Sequence, residues 1–124
     1  MLNYLNDIRV RKAINMALDK DEIINSVMAG NGIKLETNMS PVMKKYCIEN
    51  LGEKQNIDEA KKILEEVGKN NFTFTIKVPS NYPMHVNTAQ IIAEQLKAIG
   101  LKAEIETIEW TTWLSDVYSG RKYE

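Results

Sequence analysis

Two alternating apolar runs, at residues 72–78 and 101–106, constrain the fold of this chain more than any other feature. In the first run every second residue is apolar, which is typical of a strand with one buried face. Those residues are Phe72, Phe74, Ile76 and Val78. Between the runs, residues 84–99 carry apolar side chains at helical spacing, and Gly100 follows where a left-handed cap is expected. The sequence therefore predicts two parallel strands joined by a right-handed helical crossover.

Capping residues predict three helices before this unit. Asp7 is placed to cap the first, and Asp19 with Glu22 three residues later has the spacing of a capping box for the second. The second helix is expected to bury four apolar side chains. They are Ile23, Ile24, Val27 and Met28. Asn56 precedes a third helix over residues 57–67. The first two helices are expected to meet at a bend, because the second cap follows the first helix at once.

The remaining segments are less regular. Residues 31–55 have poor periodicity and predict a loop, with one short strand at residues 33–36. After the second long strand, residues 109–118 predict a final helix with Trp110 and Trp113 on one side. A sheet of two strands has exposed edges, so a further strand is expected to come from outside this stretch of sequence.

Composition restricts the chemistry of the chain. Its 124 residues, 44% of them apolar and 27% charged, predict a single soluble domain. A net charge of -1 disfavours nucleic acid or an anionic membrane surface as a partner. The lone Cys47 and lone His85 cannot form a closed zinc site, and neither has an orienting carboxylate at a recognisable spacing. We therefore expect neither an enzyme nor a metal or other cofactor.

Targeting signals are also absent from the sequence pattern. No apolar run is long enough to span a bilayer, and residues 1–10 carry charges where a signal peptide needs an apolar centre. The sequence therefore predicts either an intracellular protein or a piece of a longer one.

The best candidate site is the sheet edge at which both long strands end. Ligands of open α/β sheets bind outside the carboxyl ends of the strands, and both following loops lie there. After the first strand the candidates are Ser80, Asn81, Tyr82 and His85, and after the second they are Glu109, Trp110 and Thr111. The predicted helix near Pro83 would also direct free N–H groups toward this edge. The sequence leaves open whether Trp110 is a ligand contact or core packing, and whether His85 is a contact or a surface residue.

Several segments, taken in order, resemble one protein family. They are DIRVRKAINMALDK at residues 7–20, DEAKKILEEVG at residues 58–68 and QLKAIGL at residues 95–101, followed by Glu109, Trp110 and Leu114. Together they resemble the solute-binding proteins of peptide and nickel ABC importers, the bacterial extracellular solute-binding proteins of family 5. The resemblance covers nearly the whole chain in the correct order, which makes it more specific than any single motif.

This resemblance implies an α/β fold of the periplasmic-binding-protein type II class, with residues 1–124 forming a single domain that is part of one lobe of a two-lobed receptor. It implies an oligopeptide, dipeptide or nickel chelate as ligand, held by hinge closure and passed to the membrane permease of an ABC importer. In peptide-binding members a tryptophan at the position of Trp110 and a residue near Met84 or His85 line the ligand cavity. Val117 stands where some members carry a basic residue, so no contact to a peptide carboxylate is implied there.

The resemblance further implies a periplasmic protein or cell-surface lipoprotein whose signal peptide lies outside this fragment, and a monomeric fragment with no nucleic-acid partner. A second class of function uses the same lobe as the sensor of a transcription regulator. A DNA-binding or signalling domain in the full-length protein would favour that class. A small hydrolase is a third alternative, and it would require Cys47 or His85 to be essential for turnover.

Overall fold

Two parallel strands and the helix that joins them form the centre of the computed structural model, which describes residues 4–48 and 51–123. Strand β1 spans Thr73–Pro79, helix α4 spans Pro83–Lys97, and strand β2 spans Lys102–Ile108. The strands pair in parallel, from Thr73 opposite Lys102 to Pro79 opposite Ile108. The predicted strand, helix, strand unit is therefore confirmed, and with it the α/β fold class.

Three helices precede this unit, and each begins at its predicted cap. A 3-10 turn, Tyr4–Asn6, leads into α1 (Ile8–Ala17), α2 (Lys20–Met28) and α3 (Ile57–Glu66). The side chains of Asp7, Asp19 and Asn56 accept hydrogen bonds from the backbone N–H of Arg9, Glu22 and Glu59 at 2.9, 2.9 and 3.0 Å. These bonds satisfy N–H groups that have no partner within a helix, which explains why the three helices start where they do.

The core is formed by α4 packed on the two strands and by α1 packed on α3 and α4. Leu64, Leu96 and Val10 have no exposed surface, and the rings of Tyr4 and Phe72 stack with centroids 4.4 Å apart. The buried cluster contains Val10, Ala13, Ala17, Ala60, Leu64, Phe72, Phe74, Leu96, Ile99 and Leu101. The alternation predicted for β1 is seen in part: Phe72, Phe74 and Val78 are buried and Thr73 is exposed, but Ile76 is only half-buried, like Thr75 and Lys77 on either side of it.

Glycines at two chain reversals adopt the left-handed conformation. Gly100 ends the turn after α4 with φ of +81°, and Gly68 follows α3 with φ of +63°. A Cβ on Gly100 would lie 2.8 Å from the side-chain oxygen of Asn71, whereas one on Gly68 would meet nothing within 4 Å. The predicted left-handed cap at Gly100 is therefore confirmed, and a side chain at this position would also require the Asn71 side chain to move.

Two expectations about the N-terminal half are wrong. Residues 33–36, all of them described, form no strand, and Ile33 is 73% exposed. A strand requires a partner edge, and the described segment around these residues supplies none. Helix α2 has no fully buried residue in the described structure, since Ile23, Ile24 and Val27 are only half-buried and Met28 is exposed. The helix packs mainly against α4, so only one narrow side of it is covered.

The second hydrogen bond of the predicted capping box is replaced by another. The Glu22 side chain does not accept a hydrogen bond from the backbone N–H of Asp19. That N–H instead donates to the side-chain oxygen of Gln95 at 3.0 Å, and the amide nitrogen of Gln95 donates to Asp19 O at 3.2 Å and to the Glu22 carboxylate at 2.6 Å. Gln95 therefore joins α4 to the start of α2, and it is the first residue of the QLKAIGL segment.

The loop between α2 and α3 exposes many large apolar side chains. They are Ile33, Leu35, Val42, Met43, Tyr46, Ile48 and Leu51, and Val42 is 84% exposed. Two concavities, of about 480 and 370 Å³, lie along this loop, and none of the candidate site residues lines them. Among the described residues, no helix has the length and apolar character required to cross a bilayer.

Candidate functional site

The carboxyl ends of β1 and β2 lie side by side and start the two loops that carry the candidate residues. The N–H of Ser80 donates to Ile108 O at 2.8 Å, which continues the strand pairing by one residue. From here β1 leads through Tyr82 into α4, with Pro83 in the first helical turn, where its missing N–H has no cost. β2 leads through Glu109 into helix α5, Trp110–Thr112, which continues as a π-helix, Trp113–Ser119.

Five aromatic side chains form a continuous series at this edge, which we call the aromatic row: His85, Tyr82, Trp110, Trp113 and Tyr118. Tyr82 lies 5.2 Å from His85 and meets Trp110 edge-on at 5.3 Å, measured between ring centroids. Trp110 and Trp113 stack at 5.7 Å with an interplanar angle of 6°, and Trp113 and Tyr118 stack at 6.4 Å with an angle of 26°. These distances and angles are those that aromatic pairs favour, so each ring restrains its neighbours.

The structure brings three of the seven candidate residues together. Tyr82, His85 and Trp110 lie in the aromatic row, and Tyr82 remains 42% exposed. Ser80 and Asn81 are exposed on the same turn, but neither belongs to the row. Trp110 is half-buried. The indole is thus partly packed and partly available, so the two alternatives considered for it are not mutually exclusive.

The sequence prediction missed two members of the row, Trp113 and Tyr118. Trp113 was assigned only to the apolar side of the last helix, although its indole N–H also donates to Lys77 O at 3.4 Å. Tyr118 lies five residues further and is 72% exposed. The helical spacing of Trp110 and Trp113 was a usable signal for Trp113, but no periodic pattern in the sequence includes Tyr118.

The acidic group nearest the row is a structural cap. The Glu109 carboxylate accepts a hydrogen bond from the N–H of Thr112 at 3.1 Å and from the Thr111 hydroxyl at 3.3 Å. Hydrogen bonds from the backbone N–H groups of Thr111 and Thr112 lower the pKa of Glu109 below its usual value. Glu109 is therefore ionised at neutral pH, and its oxygens are already engaged in starting α5.

Charges beneath the row are also paired. The Lys77 ammonium donates to Lys122 O at 2.8 Å and lies 3.9 Å from the Glu106 carboxylate. The hydrogen bond from Lys122 lowers the pKa of Asp116, with which it forms an ion pair at 3.0 Å. The edge thus combines partly exposed aromatic rings with charged groups that are already paired, and such rings are suited to binding by packing and stacking.

No three His, Cys, Asp or Glu side chains within residues 4–48 and 51–123 are grouped as metal ligands. His85 has Tyr82 as its ring neighbour, and Cys47 is half-buried in the loop after α2.

The sequence matches one family over almost its entire length. The family described as "Bacterial extracellular solute-binding proteins, family 5 Middle" matches residues 3–123. The dipeptide-binding protein of Escherichia coli (strain K12) is 30% identical over 122 residues, which cover 94% of this chain and 23% of that protein.

Solved structures agree with this match. DppA from Helicobacter pylori, an ABC transporter-associated periplasmic binding protein in complex with peptide STSA, superposes with a TM-score of 0.86 and 28% identity, over 96% of this chain and 23% of that one. The oligopeptide-binding protein AppA from Bacillus subtilis, in complex with a nonapeptide, superposes with a TM-score of 0.79 and 25% identity, over 90% of this chain and 25% of that one. The chain therefore spans about a quarter of the length of these relatives.

Proposed function

Because this chain belongs to family 5 of the bacterial extracellular solute-binding proteins, we propose that it forms part of one lobe of a peptide receptor that serves an ABC importer. The observation that carries this proposal is the aromatic row at the carboxyl edge of the sheet. Partly exposed rings on rigid elements offer a large contact area at low entropic cost, which suits ligands of varied side chain. The relatives described above bind a tetrapeptide and a nonapeptide, which supports a peptide ligand here.

Trp110 is the principal contact in this proposal, with Tyr82 and His85 beside it and Ser80 and Asn81 as polar contacts from the preceding turn. All five residues follow the ends of β1 and β2, where an open α/β sheet binds its ligand. The peptide lies between this edge and a second lobe. Contacts made by both lobes favour the closed receptor, because a ligand shifts a hinge equilibrium only by binding one state more tightly.

The exposed apolar loop supports the assignment of this chain to part of a larger receptor. Val42, Ile48 and Ile33 are 84, 65 and 73% exposed, and single domains rarely leave so many large apolar side chains in water within one segment. Burial of this loop against the rest of the receptor would remove that exposure. The intact receptor is proposed to be periplasmic or lipid-anchored at the cell surface, where it delivers its peptide to the permease.

Calorimetric titration with defined peptides tests the function. The full-length receptor and residues 1–124 alone are each titrated with Ala-Ala, Ala-Ala-Ala, Ala-Phe-Ala and a nickel chelate. We expect the full-length receptor to bind at least one of the peptides, and residues 1–124 to fold but bind it far more weakly, because one lobe supplies only its own share of the contacts. Equal affinity in the two proteins, or binding of the chelate and none of the peptides, would contradict the proposal.

A further inference from the structure

The last helix changes its hydrogen-bond pattern at Trp113. The N–H of Trp113 donates four residues back, to Glu109 O at 2.8 Å, whereas the N–H of Gly120 donates five residues back, to Ser115 O at 2.8 Å. This second pattern defines the π-helix at Trp113–Ser119. Short π segments within helices are rare and are found frequently at functional sites.

The wide turn explains how Tyr118 reaches the aromatic row. In an α-helix, residues five apart point about 140° away from each other around the helix axis. In a π-helix the wider turn brings the fifth residue much closer to the side of the first. Trp113 and Tyr118 are five apart, and their rings stack at 6.4 Å. The stack is therefore a product of the π-helix and would be broken by regular α-helical geometry.

Trp113 is restrained on three sides. Trp110 stacks on it almost in parallel, Tyr118 stacks on it from the π turn, and its indole N–H donates to Lys77 O on β1 at 3.4 Å. Trp110 has fewer restraints, because Tyr82 meets it edge-on and Trp113 is the only ring among the described residues that stacks parallel to it. The plane of the Trp110 indole is consequently set by Trp113, and Trp113 is held in turn by Tyr118 and the strand.

We propose that Trp113 and Tyr118 are positioning residues that fix the orientation of Trp110 for the ligand, and that the π-helix exists to complete this stack. The proposal rests on the assignment of Trp110 as a peptide contact. A ring that is already held in its binding orientation loses less conformational freedom when the peptide arrives, so the stack increases affinity through pre-organisation. A purely structural role would change the stability of the receptor without changing the orientation of Trp110.

The test compares three variants of the full-length receptor: Tyr118→Ala, Tyr118→Phe and the control Val117→Ala. Val117 is buried in the same π turn but lies outside the row, so its truncation reports the effect of lost stability alone. Two quantities are measured, namely the affinity for Ala-Phe-Ala and Ala-Ala-Ala by calorimetry, and the exciton-coupled circular dichroism of the stacked Trp110 and Trp113 indoles.

For Tyr118→Ala we expect a smaller exciton signal and a peptide affinity roughly two- to tenfold weaker, since an aromatic pair contributes about 0.5–1.5 kcal/mol. Tyr118→Phe should retain both the exciton signal and the peptide affinity, because the aromatic ring is kept. Val117→Ala should lower the thermal midpoint while the exciton signal and the affinity of the folded receptor stay unchanged.

The outcomes separate the two proposals. If the wild-type receptor binds peptide and Tyr118→Ala binds it equally well, the positioning role is refuted while the proposed function stands. The positioning role is also refuted if Val117→Ala weakens binding as much as Tyr118→Ala. If the wild-type receptor binds none of Ala-Ala, Ala-Ala-Ala and Ala-Phe-Ala, the proposed function fails, and the positioning role fails with it.

Discussion

Replacement of Gln95 by alanine tests how α4 is joined to α2. The Gln95 amide makes three hydrogen bonds to the start of α2, two with the backbone of Asp19 and one with the Glu22 carboxylate. Gln95→Ala removes all three while leaving the buried neighbour Leu96 in place. We expect the start of α2 to open more readily, while α1 and α3 keep their stability.

The geometry gives the size of this effect. The N–H of Asp19 is partly buried and would lose its partner, at a cost of about 1 kcal/mol. Of the two bonds donated by Gln95, the one to Asp19 O is partly buried and the one to the Glu22 carboxylate is exposed, and water can replace part of their energy, so together they add about 1 kcal/mol. A total of about 2 kcal/mol corresponds to roughly 30-fold faster opening of this segment.

Hydrogen exchange of the backbone amides, followed by mass spectrometry, measures this opening directly. Amides at the start of α2 should exchange roughly 30-fold faster in Gln95→Ala, whereas those of α3 should be unaffected. Gln90→Ala is the matched control, because Gln90 is an exposed glutamine on the same helix. The reasoning is refuted if the amides of α2 exchange at the same rate in Gln95→Ala and Gln90→Ala, or if the amides of α3 lose as much protection as those of α2.

Two further predictions concern backbone conformation and pH. In urea unfolding, Gly100→Ala should lower the stability of the fold by more than Gly68→Ala. Both positions have positive φ, where an alanine is strained by roughly 1–2 kcal/mol, but only at position 100 would the added Cβ also lie against Asn71. Equal losses of stability in the two variants would contradict this. The side-chain hydrogen bond from Arg9 lowers the pKa of Asp7 from 3.8 to about 2. The stability that this carboxylate contributes is therefore present above pH 3.8 and is lost as the pH falls toward 2. Asp7→Asn should therefore be less stable than the wild type near neutral pH, and the difference should shrink as the pH falls through this range; a difference independent of pH would show that the ion pair is irrelevant.

Local signals in the sequence determine most of the fold. The caps at Asp7, Asp19 and Asn56 and the left-handed Gly100 each depend on residues within a few positions of one another, and each was predicted correctly, as was the burial of Phe72, Phe74 and Val78 in β1. Parallel pairing followed from the length of the crossover. These features could be predicted because their physical causes lie within short segments.

Features that depend on distant partners could not be predicted. The N–H of Asp19 bonds to Gln95, 76 positions away, which no local capping rule contains. The four-residue alternation at residues 33–36 resembled a strand, but without a neighbouring edge its backbone groups have nothing to pair with. The limited burial of α2 has the same origin, because periodicity identifies an apolar stripe but not how many elements cover it.

The location of the candidate site could be predicted from the sequence, but not all of the residues that form it. The rule that ligands bind at the carboxyl ends of strands selected Tyr82, His85 and Trp110, and the structure places their rings together. Tyr118 was missed because α-helical periodicity directs it away from Trp113, and only the change to a π-helix returns it. That change in hydrogen bonding cannot be read from the spacing of residues in the sequence.

The affinity of the full-length receptor for peptide, before and after Trp110→Ala, is the most direct test of the central claim. Trp110 is half-buried between Tyr82 and Trp113 at the carboxyl edge, and a contact of this kind typically contributes 2 kcal/mol or more, which is roughly a 30-fold change in Kd. We predict a loss of about this size for Ala-Phe-Ala in Trp110→Ala, with the receptor still folded. An unchanged Kd would show that the aromatic row is not the ligand surface.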